Sequence, residues 1–177
     1  MKYSIPSMRP QDILILLKKT THDGRLMNNK ELASSLHISA SEISESLERC
    51  RLARLVNSSK KRVNILTFLE FLIHGVKYVY PVIPLGVVRG LPTASSSSPL
   101  KEKLSQTADS FVWQYKEGKI RGQAIVPLYP SVPKAVLEDE ELHVLLALVD
   151  AIRIGNSREQ EIAVKELEEI LLNYGKE

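Results

Sequence analysis

A single cysteine, Cys50, stands in 177 residues, so no intrachain disulfide framework can form and the thiol content fits a reducing cytosol. No uninterrupted run of about 18 apolar residues occurs, which argues against a membrane-spanning helix. The opening Met1-Lys2-Tyr3-Ser4-Ile5-Pro6 lacks the apolar core of a signal peptide, and the expectation is a cytoplasmic protein. His22, His37, His74 and His143 fall on separate segments with no His-x-x-x-His spacing, and there is no second cysteine for a thiolate zinc site. A P-loop and a Gly-x-Gly-x-x-Gly run are both missing. These absences point away from metal, nucleotide and redox chemistry. No enzyme activity, metal or cofactor is expected. The acidic run Glu138 to Glu141 reads as a helix start favoured by the macrodipole rather than a metal cluster.

What is present is charge asymmetry and enough apolar content, 44%, to bury a core. Residues 1–80 hold 13 Lys/Arg against 7 Asp/Glu, whereas residues 81–177 hold 11 against 14. A basic front half favours a polyanionic partner there, and an acidic rear half argues against a nucleic acid wrapped around the whole chain.

The stretch Lys30 to Val56 carries the most specific pattern. Leu32, Ala33 and Leu36 recur at helical spacing, then Ile43, Leu47 and Cys50 do the same after a tight turn at His37-Ile38. Asn29 is the expected N-cap of the first helix, and Ser39 with Glu42 has the form of a capping box opening the second. Helix, short turn and helix with an apolar inner seam is the helix-turn-helix arrangement, whose second helix enters the DNA major groove. Leu55-Val56-Asn57, Ser58-Ser59-Lys60-Lys61 and Arg62-Val63-Asn64 then read as strand, polar turn and strand.

On these residues (Glu31-Leu32-Ala33, Leu36, Ile38-Ser39, Ser41, Ile43, Leu47, Arg49, Leu55-Val56 and the basic turn after them) the segment Pro10 to Asn64 resembles the winged helix-turn-helix of MarR-type bacterial transcriptional regulators. The resemblance implies a homodimer on double-stranded DNA. The chain departs from that pattern in having no long N-terminal dimerisation helix and in carrying an extra Pro/Ser-rich region.

Elsewhere, Pro10 suits the first turn of a helix whose apolar face (Ile13, Leu14, Leu16, Leu17) runs to Lys18-Lys19. Met1 to Pro10 reads as an arm, His22-Asp23-Gly24 as a turn, and Leu26-Met27 as a short strand. Ile65 to Tyr80 reads as one long apolar helix, with Thr67 and Glu70 placed for another capping box. Pro81 to Leu100 reads as an irregular connection, and Phe111 to Trp113 with Ile120 to Ile125 as a small hairpin. Val88-Arg89-Gly90 echoes Ile120-Arg121-Gly122, and Tyr80-Pro81 echoes Tyr129-Pro130, but in reversed order, so no repeat is inferred. Asp139 to Ile154, ending at Gly155, and a last helix capped by Ser157 read as an antiparallel helical hairpin. The expected fold is therefore mainly α with small β elements. It divides into residues 1–80 (winged helix-turn-helix and the following helix), 81–130 (connection and hairpin) and 131–177 (helical hairpin for dimerisation or partner binding).

If the second helix reads DNA, its exposed side holds Ala40, Ser41, Ser44, Glu45, Glu48 and Arg49. Ser41 and Ser44 can donate to a phosphate or base edge, Arg49 can neutralise a phosphate, and Glu45 is tolerated where it accepts from a cytosine amino group. Ser39 opens the helix. Lys60, Lys61 and Arg62 at the turn are the strongest electrostatic candidates, with Arg51 and Arg54 beside them, Arg51 also placed to pair with Glu48. The leading expectation is a sequence-specific regulator, a homodimeric repressor. The rival is an antitoxin-like interaction protein that binds a second protein through its rear half. An enzyme would need a polar pocket around Arg89, Trp113, Arg121 and Tyr129.

Overall fold

The computed structural model describes residues 6–104 and 110–174, so most of the expected leading arm, Met1 to Ile5, lies outside the described residues. Helix α1 (Pro10–Thr20) opens with Pro10 in its first turn, and the Asp12 carboxylate accepts from the Arg9 amide at 2.8 Å. Every residue from Asp12 to Thr20 is buried. The expected one-sided apolar helix is thus enclosed all round, and the other elements pack about it.

The chain then turns tightly. A Cβ at Gly24 would stand 1.7 Å from the Lys18 carbonyl oxygen, so only glycine permits this return onto the end of α1. The turn continues as a short 3₁₀ segment, Gly24–Leu26, and the strand expected at Leu26-Met27 does not form. Helix α2 (Asn29–Leu36) is capped one residue earlier than expected. Asn28 accepts from the Lys30 and Glu31 amides, and the Glu31 carboxylate returns to the Asn28 amide at 2.7 Å. His37 ends α2 in the left-handed region (φ 53°), and Ser39 caps α3 (Ala40–Leu52) by accepting from the Glu42 amide at 3.2 Å. The reciprocal half of that expected capping box is not made, because the Glu42 carboxylate turns to Gln11 and Arg49 instead.

After α3, Val56 and Val63 form a single antiparallel bridge, flanked by bonds from the Asn57 amide to Arg62 and from the Asn64 amide to Leu55. The helix expected over 65–80 is broken. It runs as α4 (Ile65–His74) and α5 (Val76–Val79), interrupted at Gly75, whose φ of −112° departs from helical geometry. Because α4 starts at Ile65, Thr67 lies inside it and forms no cap.

The region 81–130 departs furthest from expectation. Strand β1 (Val87–Pro92) lies within the supposed irregular connection. It pairs antiparallel with β3 (Ile120–Ala124) along its first part and with β2 (Phe111–Gln114) along its second. The expected hairpin of β2 with β3 is not one, since these two strands run parallel. Val88 opposes Gly122, Arg89 opposes Arg121 and Gly90 opposes Ile120. The two echoed tripeptides are therefore partners across an antiparallel ladder.

Two short helices flank the strands in the chain, α6 (Leu100–Lys103) between β1 and β2 and α7 (Val132–Ala135) after β3. The rear hairpin is α8 (Glu140–Ile154) and α9 (Ser157–Leu172), packed together. Asp139 caps α8. Asn156, rather than Ser157, caps α9 in a box with Glu159. Asp150 of α8, fully buried, accepts from Thr93 (2.9 Å), Trp113 Nε1 (2.7 Å) and Arg153 (2.7 Å), while Arg153 also donates to the Tyr80 carbonyl. Burial pushes the Asp150 carboxyl up, opposed by Arg153 and the other donors.

The three segments share one core, in which Leu14 and Leu17 of α1, Phe68 and Leu72 of α4, Trp113 of β2, and Leu148 and Leu167 of the rear hairpin belong to one continuous cluster. The chain is mainly helical with a small three-stranded sheet. No described helix is long and apolar enough to cross a membrane.

Asp150→Ala should lower stability by about 3–5 kcal/mol, because it strands the Arg153 guanidinium in the interior, whereas Trp113→Phe, which removes one donor, should cost about 1–3 kcal/mol. Urea unfolding midpoints of the two variants check the ranking.

Candidate nucleic-acid interface

The orientation of α3 is set from inside. Arg49 carries its charge into the interior, where it is 5% exposed. Its Nε and a terminal nitrogen bond both oxygens of Asp12 (3.0 and 2.7 Å), and the same nitrogen reaches Glu42 at 2.5 Å. Asp12 is wholly buried. A bidentate guanidinium–carboxylate pair of this kind is both strong and directional. The expectation that Arg49 faces solvent and neutralises a phosphate is therefore corrected. One helical position beyond the inner seam of Ile43, Leu47 and Cys50, it is covered by α1.

With Arg49 anchored, the rest of the expected outer side faces solvent. Ser41, Ser44 and Glu45 are exposed, as is Ser39 at the helix start. The Ser39 and Ser41 hydroxyls lie 3.1 Å apart, and Asn29 donates to the Ser44 hydroxyl at 3.4 Å. No described element of the chain is laid across this face.

Besides Arg49, two more of the expected cations are paired within the chain. Arg51 donates twice to Glu48 (3.0 and 2.5 Å), and the Lys60 ammonium pairs with the same carboxylate at 2.7 Å. Hydrogen bonds from Arg51 first, then from Lys60, hold Glu48 down at about 2. The turn that carries Lys60 is organised by Asn57, whose side-chain oxygen accepts from the Lys61 and Arg62 amides (3.0 and 3.1 Å), with Lys60 itself in the left-handed region. Lys61, Arg62 and Arg54 are exposed and form no ion pair with any described residue.

A groove of about 580 Å³ opens between α3, this turn and the end of α1, lined by Ser44, Ser59, Lys60, Lys61 and, unexpectedly, Lys19. Residue patterning could not reveal Lys19 as part of this surface. It lies at the end of a helix buried from Asp12 to Thr20, and only the packing of α1 shows which side of it meets the groove. The four residues considered for an enzyme pocket are not brought together as one. Trp113 is buried on Asp150, Arg89 and Arg121 are exposed partners on the sheet, and Tyr129 packs against the core.

Arg49→Met is expected to cost about 3–5 kcal/mol in denaturant unfolding, since it leaves the Asp12 charge buried and alone. The Glu42 carboxyl is raised by burial but lowered further by Arg49 and Gln11, so that its net shift is below the ordinary 4.5. A group depressed in the folded state stabilises above its unfolded value and loses that contribution as pH falls through the folded one. The native protein should accordingly lose stability on acidification below about 4.5 more steeply than Arg49→Met.

No protein-family model, curated protein or solved structure matches the chain, so the geometry and the residue patterning carry the functional reading by themselves.

Proposed function

We propose that the chain is a sequence-specific DNA-binding transcriptional regulator of the MarR-like winged helix-turn-helix type, acting as a homodimeric repressor on a pseudo-palindromic site. The observation that carries this reading is the uncovered outer face of α3, presenting Ser41, Ser44 and Glu45, beside a turn whose Lys61 and Arg62 have no ion-pair partner among the described residues. Serines on such a face donate to bases or phosphates, and Glu45 selects for a cytosine amino group. The basic turn supplies the sequence-independent attraction that Glu45 on the helix would otherwise oppose. One such unit reads few base pairs, and a two-fold pair sets half-sites about one helical turn apart.

A second reading, an antitoxin-like interaction protein, draws on an exposed apolar stripe. Ile83, Leu85 and Val87 alternate along one extended segment leading into β1, with Val126 nearby. Under this reading the rear half holds a protein partner while the front half binds DNA.

Fluorescence anisotropy with DNA from upstream of the protein's own coding sequence, across a salt series, tests the first reading. Lys61→Ala/Arg62→Ala should flatten the slope of log affinity against log salt by about 1.8 per protomer, two phosphates at ~0.9 each. Adding Lys60→Ala should flatten it by less than a further 0.9, because Lys60 already serves Glu48. An unchanged slope removes the turn from the interface. Leu85→Glu/Val87→Glu, examined by sedimentation, separates the two readings. A monomeric double variant places the dimer on this stripe, and a dimer with intact DNA binding leaves the stripe for another protein.

A further inference from the structure

Lys18 and Lys19 are neighbours at the end of α1 with opposite fates. Lys18 reaches Asp139, the cap of α8, at 2.5 Å. Lys19 is 4% exposed, yet its side chain makes no hydrogen bond or ion pair with any described residue. Buried ammonium groups are ordinarily paired, because an isolated charge out of water is costly. Lys19 lines the groove between α3 and the basic turn, across which stand Lys61, Lys60 and the hydroxyls of Ser44 and Ser59. Lys60 is held by Glu48, which leaves Lys19 and Lys61 with no counter-charge in this cavity among the described residues.

We infer that this groove is a phosphate-binding site in which Lys19, its side chain enclosed and its ammonium facing the groove, is the anchor, Lys61 the opposing cation, and the Ser44 hydroxyl a neutral donor. Its volume of about 580 Å³ admits a phosphodiester of a nucleic-acid backbone or a free phosphate dianion. A bound phosphate would supply the anion that the Lys19 side chain lacks, its stem enclosed by the fold and its ammonium open to the groove. Burial lowers the Lys19 pKa. The duplex form of this inference rests on the DNA-binding reading above, and the free-phosphate form does not.

Two measurements on the full chain test it. In the first, anisotropy with a labelled duplex across a salt series compares wild type with Lys19→Met. The variant should bind all sequences more weakly by a similar factor, with a salt slope reduced by about 1. Its melting temperature in chloride should equal or exceed that of wild type, because an unpaired buried charge has been removed. In the second, inorganic phosphate is titrated against sodium chloride at equal ionic strength, with the methylated-lysine NMR signals of the wild-type protein as the readout. A saturable shift of the Lys19 signal, with no change in the duplex slope on Lys19→Met, assigns the site to free phosphate. A wild type that binds no duplex defeats the DNA-binding reading while the phosphate titration still decides the site. An unaltered duplex slope together with an unmoved Lys19 signal overturns the inference.

Discussion

The buried contact of Arg49 with Asp12 and Glu42 is the constraint on which the front of the molecule depends. An apolar seam alone carries no directional contact that fixes a helix about its axis. A guanidinium fork gripping two oxygens of a wholly buried carboxylate cannot roll without losing its geometry. The rotation of α3 about its axis is thereby fixed relative to α1, and with it the set of side chains turned toward solvent. The anchor takes from the helix a positive charge that could have faced outward. The outer side is left with Glu45 exposed and with Glu48 matched by Arg51 and Lys60, so any attraction for a polyanion has to come from the turn after α3 and from the end of α1.

A second polar junction does similar work at the rear. Asp150 gathers donors from the segment after β1, from β2 and from its own helix, and Arg153 passes the link on to the Tyr80 carbonyl. The small sheet is too short to be stable by itself. It is held because its Trp113 fills the common core and places its indole N–H on a carboxylate that cannot find water. Both junctions join residues far apart in the chain, Asp12 with Arg49 and Thr93 with Asp150, and so they tie helices and sheet into one body.

Local chemistry in the sequence was legible, and distant partnership was not. The α2–turn–α3 unit follows from apolar spacing and from Ser39, and the rear hairpin from Leu142 to Leu171 with Gly155 between. Caps were displaced by one residue, Asn28 for Asn29 and Asn156 for Ser157, because adjacent polar residues satisfy the same pattern. Arg49 looked like a surface cation, since nothing near it in sequence announces that Asp12 lies opposite. Glu42 was expected to complete a local box and was drawn instead to that same guanidinium. Strand β1 was hidden by the glycines and prolines around it. The likeness of Val88-Arg89-Gly90 to Ile120-Arg121-Gly122 gave no repeat, and the structure pairs the two segments as strands.

The single shared core has a consequence for genetic dissection. Apolar faces of α1 and α4 lie against α8 and α9, so cutting between the front and rear regions would expose both surfaces at once. Neither fragment inherits a closed interior, and the chain should melt in one cooperative step rather than two. A disabling change deep in α8 therefore says little about which surface meets a partner, since it acts on the integrity of the whole. Only solvent-facing substitutions in an intact chain can map where the molecule is touched.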